Sequence, residues 1–132
     1  MSLDVPAALL LRAQRGEVDD AAFVDCVRDS LPYAWTVISS VAADLELSGP
    51  DVDFAWHETP PPSESERGQL LRALASDAIR AALERHFGMR LAFQNCHKVA
   101  AFRPHAVHGD AYRDFVSARG QLLNQDPSLR DC

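Results

Sequence analysis

The hydrophobic period of this chain changes at Gly88, and the change restricts the class of fold open to it. Before Gly88, apolar residues recur at helical spacing in one stretch after another. After it, Arg90-Leu91-Ala92-Phe93-Gln94 and His97-Lys98-Val99-Ala100-Ala101-Phe102 are short, rich in aromatic and branched residues, and flank Asn95-Cys96. A helix buries a stripe with a period near 3.6 residues and a strand buries every second residue, so the second pattern predicts a β-hairpin. The expected fold is α+β and mostly α: about five helices packed around one long central helix, with one short β-hairpin, as a single domain over 1–132.

Punctuation residues divide the helical part. Asp4 is the expected cap of a first helix that runs through Arg15 and ends at Gly16 in the left-handed position, with Pro6 in its first turn. Asp19 or Asp20 caps a second, with Phe23, Val24, Val27 and Leu31 on one face. Ser30 and Pro32 restart the chain as a helix from Tyr33 to Leu47, striped by Ala34, Ile38, Val41 and Leu45 and stopped at Gly49-Pro50. A proline-rich surface connection follows at about 50–63, with Phe54 and Trp56 as anchors, and it is the best candidate for a mobile segment. Ser63-Glu64-Ser65-Glu66 has the form of a capping box and opens the longest helix, which carries Leu70, Leu71, Leu74, Ile79, Leu83 and Phe87 and leaves through Gly88. Beyond the hairpin, Pro104 to Gly109 reads as a loop. Asp110 then caps a last helix presenting Phe115, Val116, Leu122 and Leu123.

Charge narrows the functions available. Residues 1–66 hold 3 basic and 13 acidic side chains and residues 67–132 hold 10 and 6, within a formal net charge of −6. That balance excludes a uniformly basic nucleic-acid binder and disfavours anionic membrane surfaces. On the long helix Arg67, Arg72, Arg80 and Arg85 are spread around the axis with Asp77 and Glu84 between them, which is not a phosphate-binding stripe. The opposed halves are instead suited to pairing with each other, within one molecule or across a homodimer. Twelve of the 13 basic residues are arginine and 20 residues are alanine, a bias expected of a GC-rich genome.

Cys26, Cys96 and Cys132 are odd in number and widely spaced, unlike a secreted disulfide framework. No basic n-region precedes the short apolar run from Val5 to Leu11, so a cytoplasmic protein is expected.

Several segments together resemble a known group: Phe23-Val24-Asp25-Cys26-Val27-Arg28, Leu31-Pro32-Tyr33-Ala34-Trp35, the run from Gly68 to Arg80, Leu91 to His97, and Gly120 to Gln125 with Arg130-Asp131-Cys132. The chain resembles a small uncharacterised actinobacterial protein family of about this length, whose function is unknown. The resemblance covers most of the chain and implies an actinobacterial, cytoplasmic origin. It transfers no chemistry. The proline run near Pro61 and the stretch from His105 to His108 depart from the family pattern.

Four groups of residues could carry function. Cys96-His97, in a hairpin turn, joined by Cys26 and Cys132, would give three thiolates and an imidazole for zinc or an iron-sulfur cluster, although no CxxC spacing accompanies them. His105 and His108 with Asp110 could converge on a divalent metal if their segment turns helically. His57-Glu58, beside Trp56, could supply an acid and a base, and an exposed acidic loop explains the same residues. Tyr33, Trp35 and Phe87 could line an apolar pocket for a small ligand between the third and long helices. No set completes a catalytic constellation. The reading is therefore a non-enzymatic binding or adaptor protein acting as a homodimer or on another protein partner, with no cofactor required, no membrane, and nucleic acid disfavoured. A Cys/His metal or thiol redox protein and a small-ligand-binding protein are the alternatives.

Overall fold

The computed structural model describes residues 2–125. Helices α1 (Ala7–Gln14), α2 (Asp20–Ser30) and α3 (Pro32–Leu47) come first, followed by strand β1 (Phe54–His57). Helices α4 (Glu64–Leu74) and α5 (Asp77–Phe87) lead to the hairpin β2 (Arg90–Gln94) and β3 (Lys98–Phe102). A short 3₁₀ helix (Pro104–His108), α6 (Asp110–Phe115) and α7 (Ala118–Leu123) complete the described chain. The class is α+β and mostly helical, as the two periods require.

Local chemistry accounts for most of the boundaries. Asp19 caps α2 by accepting the Ala22 N–H at 2.7 Å. Ser63 caps α4 by accepting the Glu66 N–H at 3.2 Å, while its hydroxyl donates to the Glu66 carboxylate. Gly16, Gly49 and Gly88 all take positive φ at the ends of helices, the conformation that glycine adopts at least cost. Helix α3 begins at a proline and Leu31 offers it no side-chain cap. Gln69 of α4 supplies one, its Oε1 accepting the backbone N–H of Tyr33 at 2.7 Å and of Ala34 at 3.2 Å.

The structure corrects five sequence expectations. Asp4 does not cap α1; Pro6 occupies that position without a side-chain bond, and the Asp4 N–H donates to Ser30 Oγ at 2.8 Å. The long central helix is two helices. Ser76 turns extended, accepts the Ile79 N–H and caps α5, and Arg80 reaches back to the Leu74 carbonyl at 2.9 Å, so α4 and α5 meet at a corner and α3 is the longest element. The segment 50–63 is not wholly a loop, because Phe54–His57 pairs as an edge strand with β3. Pro104–His108 is a 3₁₀ helix. The last helix is also divided: Ser117 caps α7, Asp110 is the first residue of α6 and not its cap, and Leu122 and Leu123 are exposed.

The sheet order is β1-β3-β2, antiparallel throughout, with Trp56 opposite Ala100 and Ala92 opposite Ala100 from the other side. β3 is central and every one of its residues is buried. Both faces of the sheet are covered, and Lys98-Val99-Ala100-Ala101-Phe102 accordingly lacks the polar alternation of a half-exposed strand. On the first face Leu91, Val99 and Ala101 pack with Val27, Leu31, Ile38, Val41, Leu45, Leu70, Leu74, Ile79 and Leu83 of α2 to α5. On the second, Ala92, Ala100 and Phe102 meet Ala106 and Phe115, with Phe54 and Tyr112 at the margin.

Arg103 ties these layers together at the end of β3. Its guanidinium donates to the carbonyls of Leu45 (2.9 Å), Gly49 (2.6 Å) and Val52 (2.6 Å), satisfying the carbonyls at the end of α3 and in the connection to β1.

Candidate functional site

Strand alternation directs Phe54 and Trp56 of β1 and Lys98 and Phe102 of β3 to the second face of the sheet. Helix α6 covers this face incompletely, since it is short and only Phe115 of its residues is buried. A cavity of about 300 Å³ remains, lined by Phe54, Trp56, Lys98, Phe102, Ala111, Asp114, Phe115 and Asn124. Phe54 lies 5.3 Å from Trp56 and 5.4 Å from Phe102 between ring centroids, and Phe102 meets Phe115 edge-on at 5.8 Å. Aromatic rings thus form its wall, and Trp56, 48% exposed, stands at its mouth.

Lys98 is the polar centre of this cavity and is only 8% exposed. Its ammonium sits 4.6 Å from the centroid of the Trp56 ring, 3.4 Å from Asn124 Oδ1 and 3.6 Å from Glu58 Oε2. Charge-assisted bonds of an ammonium close to about 2.7–2.9 Å. The lysine is therefore held by a cation–π contact and two long polar ones. Its register on the central strand buries it; the sequence marks it only as the single lysine among 13 basic residues.

The hairpin turn below is a polar lock. Asn95 and Cys96 both adopt positive φ, 55° and 48°. His97, 6% exposed, brings Nδ1 to 2.6 Å from the Asn95 carbonyl. The Asn95 side chain bonds to Gln121 and to the Asn124 carbonyl, and Gln94 Nε2 donates to the Phe115 carbonyl at 2.7 Å. The turn thereby fixes α6 and α7 over the sheet.

The proposed metal ligands are distributed as follows. Cys26 is a free, buried thiol on α2 that donates to the Asp4 carbonyl at 3.1 Å. Cys96 is buried in the turn and is not a free thiol, and Cys132 lies outside the described residues. Among the described residues no group of three or more His, Cys, Asp or Glu side chains is arranged to hold a metal. His105 Nε2 is 3.1 Å from Asp53 on the surface, and Asp110 pairs with Arg113.

The remaining candidates also separate. Glu58 turns to Lys98, whereas His57 is on β1 opposite Val99, with a buried Nε2 that has no hydrogen-bond partner among the described residues. Trp35 packs against Phe87 at 5.3 Å and His86 at 5.5 Å. The groove between α3 and α5, about 290 Å³, is lined by Phe87 with Ser39, Ala42, Ala43, Glu46, His86 and Met89; Tyr33 and Trp35 do not line it. Tyr33 packs at the edge of the core, where burial, and after it the nearby Glu66 carboxylate, push its phenol above the ordinary range.

Charge pairing between the halves occurs within the molecule. Arg85 of α5 grips Asp20 of α2 through two bonds of 2.6 and 2.9 Å, which holds the Asp20 carboxyl below its usual range and raises the guanidinium. Lys98 with Glu58 is the other cation–carboxylate pair of this kind among the described residues.

These features define a mostly helical α+β protein in which a β-α-α-β unit takes its third strand between the first two. The chain belongs to the family described as NucS shadow ORF, whose model, labelled KH_NucS_shadow, matches residues 1–132. No curated protein and no solved structure matches the chain. Among the described residues no helix is long and apolar enough to cross a membrane.

Proposed function

We propose that this chain is a non-enzymatic binding protein that acts as a homodimer through the surface formed by α1. The observation that carries the reading is that α1 buries none of its residues and leaves Leu10 and Leu11 about half exposed, with Val5 and Val18 exposed beside them. Exposed apolar residues grouped on one helix and its flanks mark interaction sites where they form a common surface. A second copy is favoured by charge: Arg15 has no ion-pair partner among the described residues, while Asp25 and Asp29 on the adjacent helix share the single guanidinium of Arg28 at 3.2 Å each, so a two-fold contact can bring a second cation to these carboxylates. Light scattering over a concentration and salt series tests it. The expected result is a dimer that weakens as salt screens these charges and is lost in Leu10→Glu/Leu11→Glu; a wild-type monomer throughout overturns the reading.

Cytoplasmic residence and an actinobacterial source belong to the same reading, and the arginine and alanine bias supports the source. A nucleic-acid partner is disfavoured. KH, in the family label, is also the name of a module that clamps nucleic-acid backbone with a Gly-x-x-Gly loop. The glycines here are Gly16, Gly49, Gly68, Gly88, Gly109 and Gly120, and no two are three apart.

The family description favours a second reading. A shadow reading frame lies across that of another gene, so its residues inherit constraints from the other gene's codons. Against an unselected product stands the agreement of caps, left-handed glycines and apolar stripes with one packed core. Stop codons introduced in this frame, silent in that of NucS, separate the two. A phenotype restored by the chain supplied from elsewhere supports a selected protein, and no phenotype supports the shadow reading.

A further inference from the structure

We infer that the cavity on the second face of the sheet is a binding site for an uncharged planar heteroaromatic ring of the nucleobase class. Three observations converge on it. Part of the wall is aromatic: Trp56, Phe54 and Phe102 line it, and Trp56, which carries the Lys98 ammonium over its ring, remains half exposed at the mouth, where its exposed part can stack on an entering ring. The floor holds a nine-tenths-buried ammonium with no polar partner nearer than 3.4 Å among the described residues. A buried cation held so loosely gains from one short acceptor, and a ring nitrogen or carbonyl in the plane of a stacked heterocycle supplies it. The volume, about 300 Å³, is at the lower end of the range for small-molecule sites and suits one ring system.

Electrostatics select an uncharged ligand. Glu58 already stands 3.6 Å from Lys98, and Asp114 on the opposite wall is paired with Arg119 at 3.2 Å, so the local charges cancel. An aromatic carboxylate would enter against Glu58 and Asp114, and an organic cation would meet Lys98. A neutral ring with an acceptor for Lys98 and an N–H for Asn124 Oδ1 or the Asp114 carboxylate offends neither.

The test uses the full chain carrying Trp35→Phe, which leaves Trp56 as its one tryptophan. Adenosine, cytidine, guanosine and uridine are titrated against Trp56 fluorescence, with benzoate as the anionic aromatic control. The expected result is saturable quenching by at least one nucleoside, weaker quenching by benzoate, and a loss of roughly tenfold or more in affinity for Lys98→Met at an unchanged melting temperature. The same base within a short single-stranded oligonucleotide distinguishes the source: tighter binding there indicates a base read in a chain, and equal binding a free nucleoside. Because Lys98→Met could disturb the sheet, Trp56→Leu, at the exposed mouth, is followed in parallel by ligand-observed NMR and should abolish the signal. Absence of saturation at roughly ten millimolar, stronger binding of benzoate, or unchanged affinity in a folded Lys98→Met overturns the inference.

Discussion

The two faces of the sheet are built to different standards. The first is closed by four helices whose leucines, valines and isoleucines are buried to within a few per cent of exposure. The second is covered by two short helices and a 3₁₀ helix, held by amide side chains as much as by apolar contact, with a buried lysine and a cavity beneath them. Stability resides on the first face because close-packed aliphatic surface is the larger and less conditional source of free energy. Room for a ligand remains on the second because six-residue helices cannot cover three strands.

This contrast is open to direct tests. Leu45→Ala on the first face should lower the free energy of unfolding by about 2–5 kcal/mol, read from urea denaturation, whereas Leu122→Ala on α7, 76% exposed, should change it by less than about 0.5 kcal/mol. Equal losses would dissolve the distinction. Gly120→Ala is the next strongest lesion, because a Cβ there collides with the Asp114 carbonyl. It should cost about 1–3 kcal/mol and release α7, so that amides of α7 and of the Asn95 turn exchange faster while those of α3 keep their protection. Uniform acceleration would show the faces to be one cooperative unit.

The smallest effect expected is electrostatic. The Ala22 N–H and Arg12 lower the Asp19 carboxyl, and Arg85 lowers that of Asp20. A folded-state pKa below the unfolded value contributes stability above the unfolded pKa, near 3.9, and that contribution is lost as pH falls through the folded value. Asp20→Asn should therefore flatten the acid limb of stability below about pH 4 and shift it only slightly at neutrality, because both carboxylates are exposed. An unchanged acid limb would show that the Asp20 and Arg85 pair does not bind α2 to α5.

The sequence was most informative where neighbours in the chain decide the conformation. Val24, Val27, Ala34, Ile38, Val41 and Leu45 are buried in the stripes that their spacing predicts, and Asp19, Ser63 and Gly88 mark the ends they should. The break at Ser76-Asp77 was missed because the apolar stripe runs through it unbroken in the sequence while the helix does not. β1 was harder to read, since Phe54-Ala55-Trp56-His57 becomes a strand only by pairing with Val99 to Phe102. None of the groups first nominated for chemistry forms a converged site among the described residues; the cavity around Lys98 assembles from residues 54 to 124, and no local pattern announces it.

The change of period at Gly88 thus determined the class of fold, the hairpin and the helical core, because those depend on spacing along a few turns of chain. Tertiary structure alone decided that a third strand joins the hairpin and that the apparent long helix bends at Ser76. It alone decided that the one lysine lies buried beneath a tryptophan. Each of these depends on contacts between residues far apart in the chain, whose free energy exists only once the layers have packed.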